Sequence, residues 1–445
     1  MHVLYVYAAS QTYTRTVFEH LDSFAKFSSH EWVYCCVSNF NHDRLELRLF
    51  DAIVVHYSVR LVYDQLNDKA QAKLSAYPRL KVLFIQDEYD HTNTAREVIK
   101  RVGFHLVFTV VPTHFIHVVY PPEQFPGVRF VNNLTGYAPV ELLSQAGDYT
   151  PPSNRQCIIA YRGRPLPLRY GKLGQEKVFI GKNVKQYCER NRIAHDIAWD
   201  EAARVYGSAW YRFIASSKAM LGSESGSNVF DWDGRLEARI NDYKRRHPRA
   251  SDEEVYQAVV EPCEIDGAMN QISPRIFEMA AARTVMVLFE GEYSGIITPN
   301  VHYIPLNKGF SNMDDIFVFL RDAMAVDQMA NRAFEDLISS GKYAYQKFVS
   351  MVDQEMEAVS AGKDIMANNR SQMMLGRFID LAHHCSVTSS PYKASPPLPI
   401  MFCLTISNNV LVRKIKLVVA KIIYKTWFHI PLPVRRVIKC LLGRS

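Results

Sequence analysis

Eight cysteines are spread over 445 residues without a C-x-x-C pair, which argues against a disulfide scaffold or a zinc ribbon. His383-His384-Cys385 lacks a second pair at metal-ligand spacing, so reduced thiols in a cytoplasmic protein are expected. No run of about 18 apolar residues occurs, so no membrane-spanning helix is expected. The opening MHVLYVYAAS has no basic lead-in and reads as a strand, not a secretory leader. Neither a G-x-G-x-x-G after the first strand nor a G-x-x-x-x-G-K-[ST] is present, so dinucleotide and P-loop sites lack their signatures. The G-x-S-x-G elbow of hydrolases is missing too. The most uneven absence is of acids: residues 401–445 hold nine Lys/Arg and no Asp or Glu. Residues 1–400 carry 43 basic and 45 acidic side chains, so the formal charge of +7 belongs to a tail. A near-neutral body argues against a broad nucleic-acid surface, and no nucleic-acid partner is expected.

The rest is ordinary globular material, 48% apolar and 22% charged, enough for two or three domains. Strand-like runs occur at 2–8, 31–38, 51–58, 79–87, 104–111 and 127–133, with helical patterns around 12–26, 64–76 and 92–102. Such alternation predicts a parallel sheet covered on both faces. The polar residues at its strand ends are Ser10-Gln11-Thr12, His56, Asp87-Glu88, His114 and Thr135-Gly136-Tyr137. GDYTPPSNRQ (147–156) reads as a linker. A second series follows, with strands at 157–163, 177–183, 194–199, 218–225, 284–290 and 302–307, and a charged helical insert at about 234–260. Two Rossmann-like α/β domains in tandem, with a cleft between their strand ends, are therefore expected. Their spans are 1–148 for the acceptor and 155–350 for the donor, followed by a closing helix (351–385) and a basic tail (386–445).

The chemistry concentrates in the second half. IAYRGRPLPLRYGKLGQEK places Arg162, Arg164, Arg169 and Lys172 beside Gly163, Gly171 and Gly174 directly after a strand. Forked cationic donors beside glycine suit a diphosphate, although a solvated basic loop has the same composition. GSESGSN (222–228), with Glu224 and Ser225, is a second polar loop after a strand, and turn chemistry alone also explains it. In QISPRIFEMAAARTVMVLFEGEYSGI (271–296), Ser273 is an N-cap and Pro274 suits the first helical position. Arg275 and Glu278 then stand within the first turns, where phosphates are held at the helix mouth and a carboxylate can accept ribose hydroxyls, although an exposed Glu on an amphipathic helix reads the same way. Tyr293, Ser294 and Gly295 form a further strand-end loop. Together these loops predict a nucleotide-diphosphate site.

NQISPRIFEMAAARTVMVLFEGEYSGIITPNVHYIPLNK (270–308) resembles the C-terminal half of GT-B glycosyltransferases, in the glycosyl transferases group 1 and CgeB-like group. FIQDEYDHT, LTGY, IAYRGR and GSESGSNVFDWDG also look like that group. The resemblance implies a GT-B fold, a nucleotide-sugar substrate with no separate cofactor, and Glu278 as the ribose ligand. Retaining members often carry E-x7-E, but here Asn270 stands eight positions before Glu278, so the stereochemistry of transfer is left open. No metal is expected, since GT-B enzymes meet the leaving diphosphate with helix ends and cations; DWD (231–233) is expected to be structural. Asp87, Glu88 and His114 are the candidates for the acceptor side, with His56 a rival.

These features imply a hexosyltransferase acting on a glycan or lipid-linked acceptor, in polysaccharide biosynthesis. A sugar-nucleotide epimerase on the same fold and a non-catalytic glycan- or partner-binding module are the alternatives. In the tail (410–445), Lys414, Lys421 and Lys425 line one helical face, Lys416 lies nearly opposite, and Trp427 and Phe428 follow. A C-terminal helix packed on the body has the same pattern, but the lack of acids suits an anionic membrane surface better, so the enzyme is expected to be peripheral on the inner face of the cell membrane.

Overall fold

The computed structural model describes residues 1–9, 15–40, 45–138 and 149–361, without the side chains of Asn39 and Ser208. Two sheets organise them. The first contains β1 (His2–Tyr7), β2 (Glu31–Cys36), β3 (Ala52–Val55), β4 (Leu80–Ile85), β5 (Leu106–Thr109) and β6 (Arg129–Asn132), in the order β2-β1-β3-β4-β5-β6. β1 runs parallel to β2 and β3, and β3 parallel to β4. Every residue of β3 and β4 is buried, as parallel strands are when helices cover both faces. All six expected strands are present.

The second sheet contains β7 (Cys157–Arg162), β8 (His195–Ala198), β9 (Ser217–Gly222), β10 (Val285–Phe289) and β11 (Tyr303–Leu306), in the order β11-β10-β9-β7-β8. All four of its ladders are parallel. Its two faces bury different clusters: Val285, Val287 and Phe289 pack with Ile159, Ile180 and Val184, whereas Met286 and Leu288 pack with Ile276, Phe277 and Met279. That alternation is the period of two of a strand buried on both sides. Both sheets share one doubly wound order, with the progression reversing between β1 and β3 and again between β7 and β9. Loops leaving the carboxyl ends of such neighbouring strands form the ligand crevice of open α/β sheets.

One expected strand is a helix. Residues 177–183 lie inside the helix Gly171–Arg190, where Ile180, Gly181 and Val184 are buried while Phe179 faces solvent. The apolar cluster VFI is one stripe of an amphipathic helix, and a short window does not separate that from a buried strand.

Compactness divides the chain into two units. Among the described residues, the first comprises Met1–Phe84, Arg101–Leu106 and 353–361. Its core is built around Tyr5, whose ring lies 5.3 Å from Phe24 and 4.9 Å from Trp32. Asp353 joins it by accepting from the Ser28 hydroxyl and the Ser29 N–H, each at 2.8 Å. At the carboxyl ends of β1 and β3, Ser58 Oγ accepts from Ala8 N–H at 3.0 Å and contacts His56 Nδ1 at 2.8 Å. His56 Nε2 in turn lies 3.1 Å from His20 Nδ1. Burial drives the His20 imidazole down to about 3 and His56 well below its usual value, so both are neutral. His56 is thus sealed in a core network. The second unit comprises Ile85–Lys100 and Val107–Val352, and holds the second sheet. Among the described residues no helix is long and apolar enough to cross a membrane. Ser10-Gln11-Thr12, the later part of the closing helix and the whole basic tail lie outside the described residues.

Candidate functional site

The second unit gathers its polar side chains where β7, β9 and β10 end. The helix Pro274–Ala281 starts as its sequence dictates, with Ser273 as N-cap accepting from Arg275 N–H at 3.4 Å. Ser225 and Gln271 exchange both backbone hydrogen bonds, at 2.7 and 3.0 Å, which draws the loop after β9 against the entry to this helix. One turn in, Glu278 is half-buried; its Oε2 accepts the Trp210 indole N–H at 2.8 Å, and Oε1 faces the Tyr211 hydroxyl at 3.5 Å. Arg275 lies with its guanidinium 5.0 Å from the Trp210 ring and 5.7 Å from the Tyr161 ring.

Beside them runs a chain of amides with fixed direction. Met269 N–H donates to Asn228 Oδ1 (2.8 Å), Asn228 Nδ2 to Asn270 Oδ1 (2.7 Å), and Asn270 Nδ2 to Glu224 Oε2 (2.6 Å). A backbone donor at one end and a carboxylate at the other orient both amides. Asn270, which stands where retaining GT-B members often carry the earlier Glu, therefore spends its carbonyl oxygen and one N–H inside the protein. The other Glu224 oxygen accepts Tyr293 N–H at 2.7 Å, and burial raises the Glu224 carboxyl above its usual range. Tyr293, Ser294 and Gly295 follow at φ of 46°, 56° and 69°, three left-handed residues in a row. Two of them are not glycine, a strain that persists only where surroundings impose it. Glu224 imposes it from one side; Ser294 Oγ, accepting Ile272 N–H at 3.1 Å, does so from the other. A Cβ on Gly291 would meet Glu224 Oε2 at 2.6 Å, so this residue must be small.

The cations are not arranged as the sequence suggested. Arg162 is held by Ala203 O, Asp196 O and the Asp196 carboxylate, with its guanidinium 4.1 Å from the Phe213 ring. Lys172 pairs with Glu261 at 3.2 Å while its N–H donates to Glu264 at 2.8 Å. The helical insert thus delivers two carboxylates to the mouth of the helix Gly171–Arg190. A Cβ on Gly171 (φ 64°) would lie 2.0 Å from Glu264 Oε1, so that glycine admits a carboxylate of the protein itself. Arg169 is likewise paired with Asp90 at 2.8 Å. Arg164 is exposed and makes no hydrogen bond or ion pair among the described residues.

Lys177, which the expected strand had hidden, donates to the main-chain oxygen of Glu224 at 3.1 Å. Its backbone carbonyl accepts the Tyr161 hydroxyl at 2.9 Å, locking this helical turn to the end of β7. Burial, and then Arg275, lower the Lys177 ammonium to about 8. Trp210 and Tyr161 were also missed, because an aromatic in an amphipathic stretch carries no positional signal.

The acceptor-side candidates separate by exposure. Glu88 is 1% exposed; Oε1 accepts from Thr109 Oγ1 and, at 3.2 Å, from Val110 N–H. Its Oε2 has no partner among the described residues, and burial pushes the carboxyl up to about 7. Asp87 (φ 59°) is partly exposed and accepts from the Tyr89 hydroxyl at 2.7 Å, whereas His114 is exposed on a turn after β5. In DWD, Asp231 accepts Leu236 N–H at 3.2 Å, and Asp233 accepts Arg235 N–H at 3.0 Å and pairs with Arg239. Both are structural. Among the described residues no group of three or more His, Cys, Asp or Glu is placed to hold a metal.

No protein-family model matches the chain, and no curated protein does. Solved structures similar to it include an alpha-glucosyltransferase in complex with UDP-glucose and DNA containing an abasic site. That pair shares 11% identity over 81% of this chain and 99% of the other, with a TM-score of 0.49. Anabaena HepE in complex with UDP shares 10% identity over 80% of this chain and 100% of its own, with a TM-score of 0.45. A DNA-modifying beta-glucosyltransferase shares 10% over 81% and 99%, with a TM-score of 0.43.

Proposed function

We propose that the protein is a glycosyltransferase of the GT-B class, transferring a sugar from a nucleoside diphosphate to an acceptor hydroxyl. The observation that carries this is the presence of Arg275 and Glu278, three residues apart, on one helix mouth at the β7/β9 switch point, with Lys177 alongside. A nucleoside diphosphate has that pattern of needs: cations for phosphate oxygens and a carboxylate for ribose hydroxyls about one helical turn away. Arg275, Lys177 and Arg164 meet the diphosphate, Glu278 accepts from the ribose, and the turn Tyr293–Ser294–Gly295 faces the sugar–phosphate link.

As the glycosidic C–O bond breaks, charge grows on the leaving β-phosphate oxygen. Cations fixed beside it lower the barrier more than they strengthen substrate binding. Asp87, partly exposed and already accepting from the Tyr89 hydroxyl, is the carboxylate we assign to orient an acceptor hydroxyl. A hexosyl donor, a glycan or lipid-linked acceptor, and membrane docking through 410–445 complete the proposal.

The test is release of nucleoside diphosphate from a panel of UDP- and GDP-sugars, with and without glycan and lipid-linked acceptors. Donor hydrolysis that speeds up with one acceptor supports transfer. Interconversion of the nucleotide sugars instead supports an epimerase, and failure of the parent to bind UDP or GDP removes the enzyme assignment.

A further inference from the structure

Arg275 and Glu278 stand three residues apart on one helix, the spacing at which opposite charges on a helix surface pair readily. Among the described residues no ion pair joins them. Trp210 contacts both side chains. Its ring carries the Arg275 guanidinium at 5.0 Å, and its indole N–H holds Glu278 Oε2 at 2.8 Å. The indole engages both charges, by ring quadrupole on one side and a neutral donor on the other, while Tyr211 also faces Glu278 and the Tyr161 ring also lies beside Arg275. Its own position is set by the helix Ser208–Ala215, where Phe213 stacks on it at 5.7 Å and 27°.

We infer that Trp210 is a spacer: it keeps Arg275 and Glu278 apart so that the guanidinium serves phosphate and the carboxylate serves ribose. Trp210 has this role only if the site takes a nucleoside diphosphate, as proposed above. It touches neither reacting atom and is a positioning residue. Without it, Arg275 swings onto Glu278 and the two consume each other. A ligand must then break an ion pair before it can use either group, so the preference for a ribose hydroxyl collapses.

The experiment measures binding of UDP and GDP against their 2′-deoxy forms, by calorimetry, for the parent, Trp210→Phe, Trp210→Leu, Trp210→Leu/Arg275→Met and Glu278→Ala. The parent should prefer the ribose form by on the order of tenfold, the size of one hydrogen bond to a charged group. Trp210→Phe, which keeps the ring face and loses the N–H, should lose part of this preference. Trp210→Leu should lose nearly all of it. The deciding variant is the double one. Removing Arg275 takes away that competitor for Glu278, so the preference returns although overall diphosphate affinity falls. A packing role gives no reason for that recovery.

If Trp210→Leu keeps the parent's preference, or the double variant fails to regain it with its melting temperature intact, the spacer role is overturned. Should the leucine variants not fold, an unchanged preference in Trp210→Phe overturns it equally. Loss of preference in Glu278→Ala alone leaves the nucleotide site standing and removes only Trp210's part. Failure of the parent to bind either nucleotide removes both.

Discussion

The Lys177 ammonium donates to the main-chain oxygen of Glu224, 3.1 Å away, tying the helix after β7 to the loop after β9 across the switch point. Its folded value of about 8 lies below the ordinary 10.5, because burial and Arg275 disfavour the charge. Affinity for a nucleoside diphosphate should therefore fall as pH rises from 7 to 9.5, by about tenfold or more if one phosphate contact is lost. Lys177→Arg, charged throughout, should flatten this profile. Stability moves the other way: the unfolded chain holds this proton more tightly, so stability should rise between about pH 8 and 10.5 and lose that rise in Lys177→Met. Parent affinity that is flat across this range would remove Lys177 from the site.

Glu278→Ala should weaken nucleoside diphosphate binding by about 2 kcal/mol, the scale of charge-assisted bonds to ribose hydroxyls. The melting temperature should change little, since alanine favours the helix and the half-buried Trp210 N–H can reach water. A calorimetric affinity equal to the parent's would dismiss the ribose role.

Arg164 and Lys172 should now part company. Arg164→Ala should lower kcat more than it raises KM if this unpaired exposed cation meets the diphosphate as proposed, since it would act most strongly on developing charge. Lys172→Ala should leave both nearly unchanged, because its exposed ammonium is spent on Glu261. Steady-state kinetics of the two variants decide; the reverse order would return the diphosphate to the mouth of the helix Gly171–Arg190.

Glu88→Gln tests a buried proton. The folded carboxyl titrates near 7 against an ordinary 4.5, so the folded state binds the extra proton between those values. Stability conferred by that proton is present below pH 4.5 and lost as pH rises through 7. In denaturant titrations the parent should therefore lose up to roughly 3 kcal/mol across this window, and the glutamine variant should not. Equal slopes would show that Glu88 stays ionised.

The basic tail is tested by sedimentation with anionic vesicles. Binding should be strong at low salt, weaker at high salt, and largely lost on truncation at about residue 400, since nine cations and no acids lie beyond it. Undiminished sedimentation of the truncated chain would place the anchor elsewhere.

The doubly wound sheets were legible in the sequence because their strands are short apolar runs bounded by turn residues, and that period survives without any tertiary information. So was the helix opened by Ser273 and Pro274, since capping is a local hydrogen-bond problem that the local sequence solves. Sequence alone thus determined that Arg275 and Glu278 stand together near a strand end. It did not determine which basic side chains are free. Lys172 and Arg162 are as cationic as Arg164 in sequence, but Glu261 arrives from 89 residues away and Asp196 from 34. Charge pairing over such distances is decided by chain topology, to which composition and spacing are blind. The same holds for Lys177: the residues around it read as a strand until packing against β7 made Ile180 and Val184 the buried stripe of a helix. Tertiary structure alone also set Trp210 against Glu278, 68 residues apart, because a side chain's partner across a fold leaves no periodic trace in the sequence.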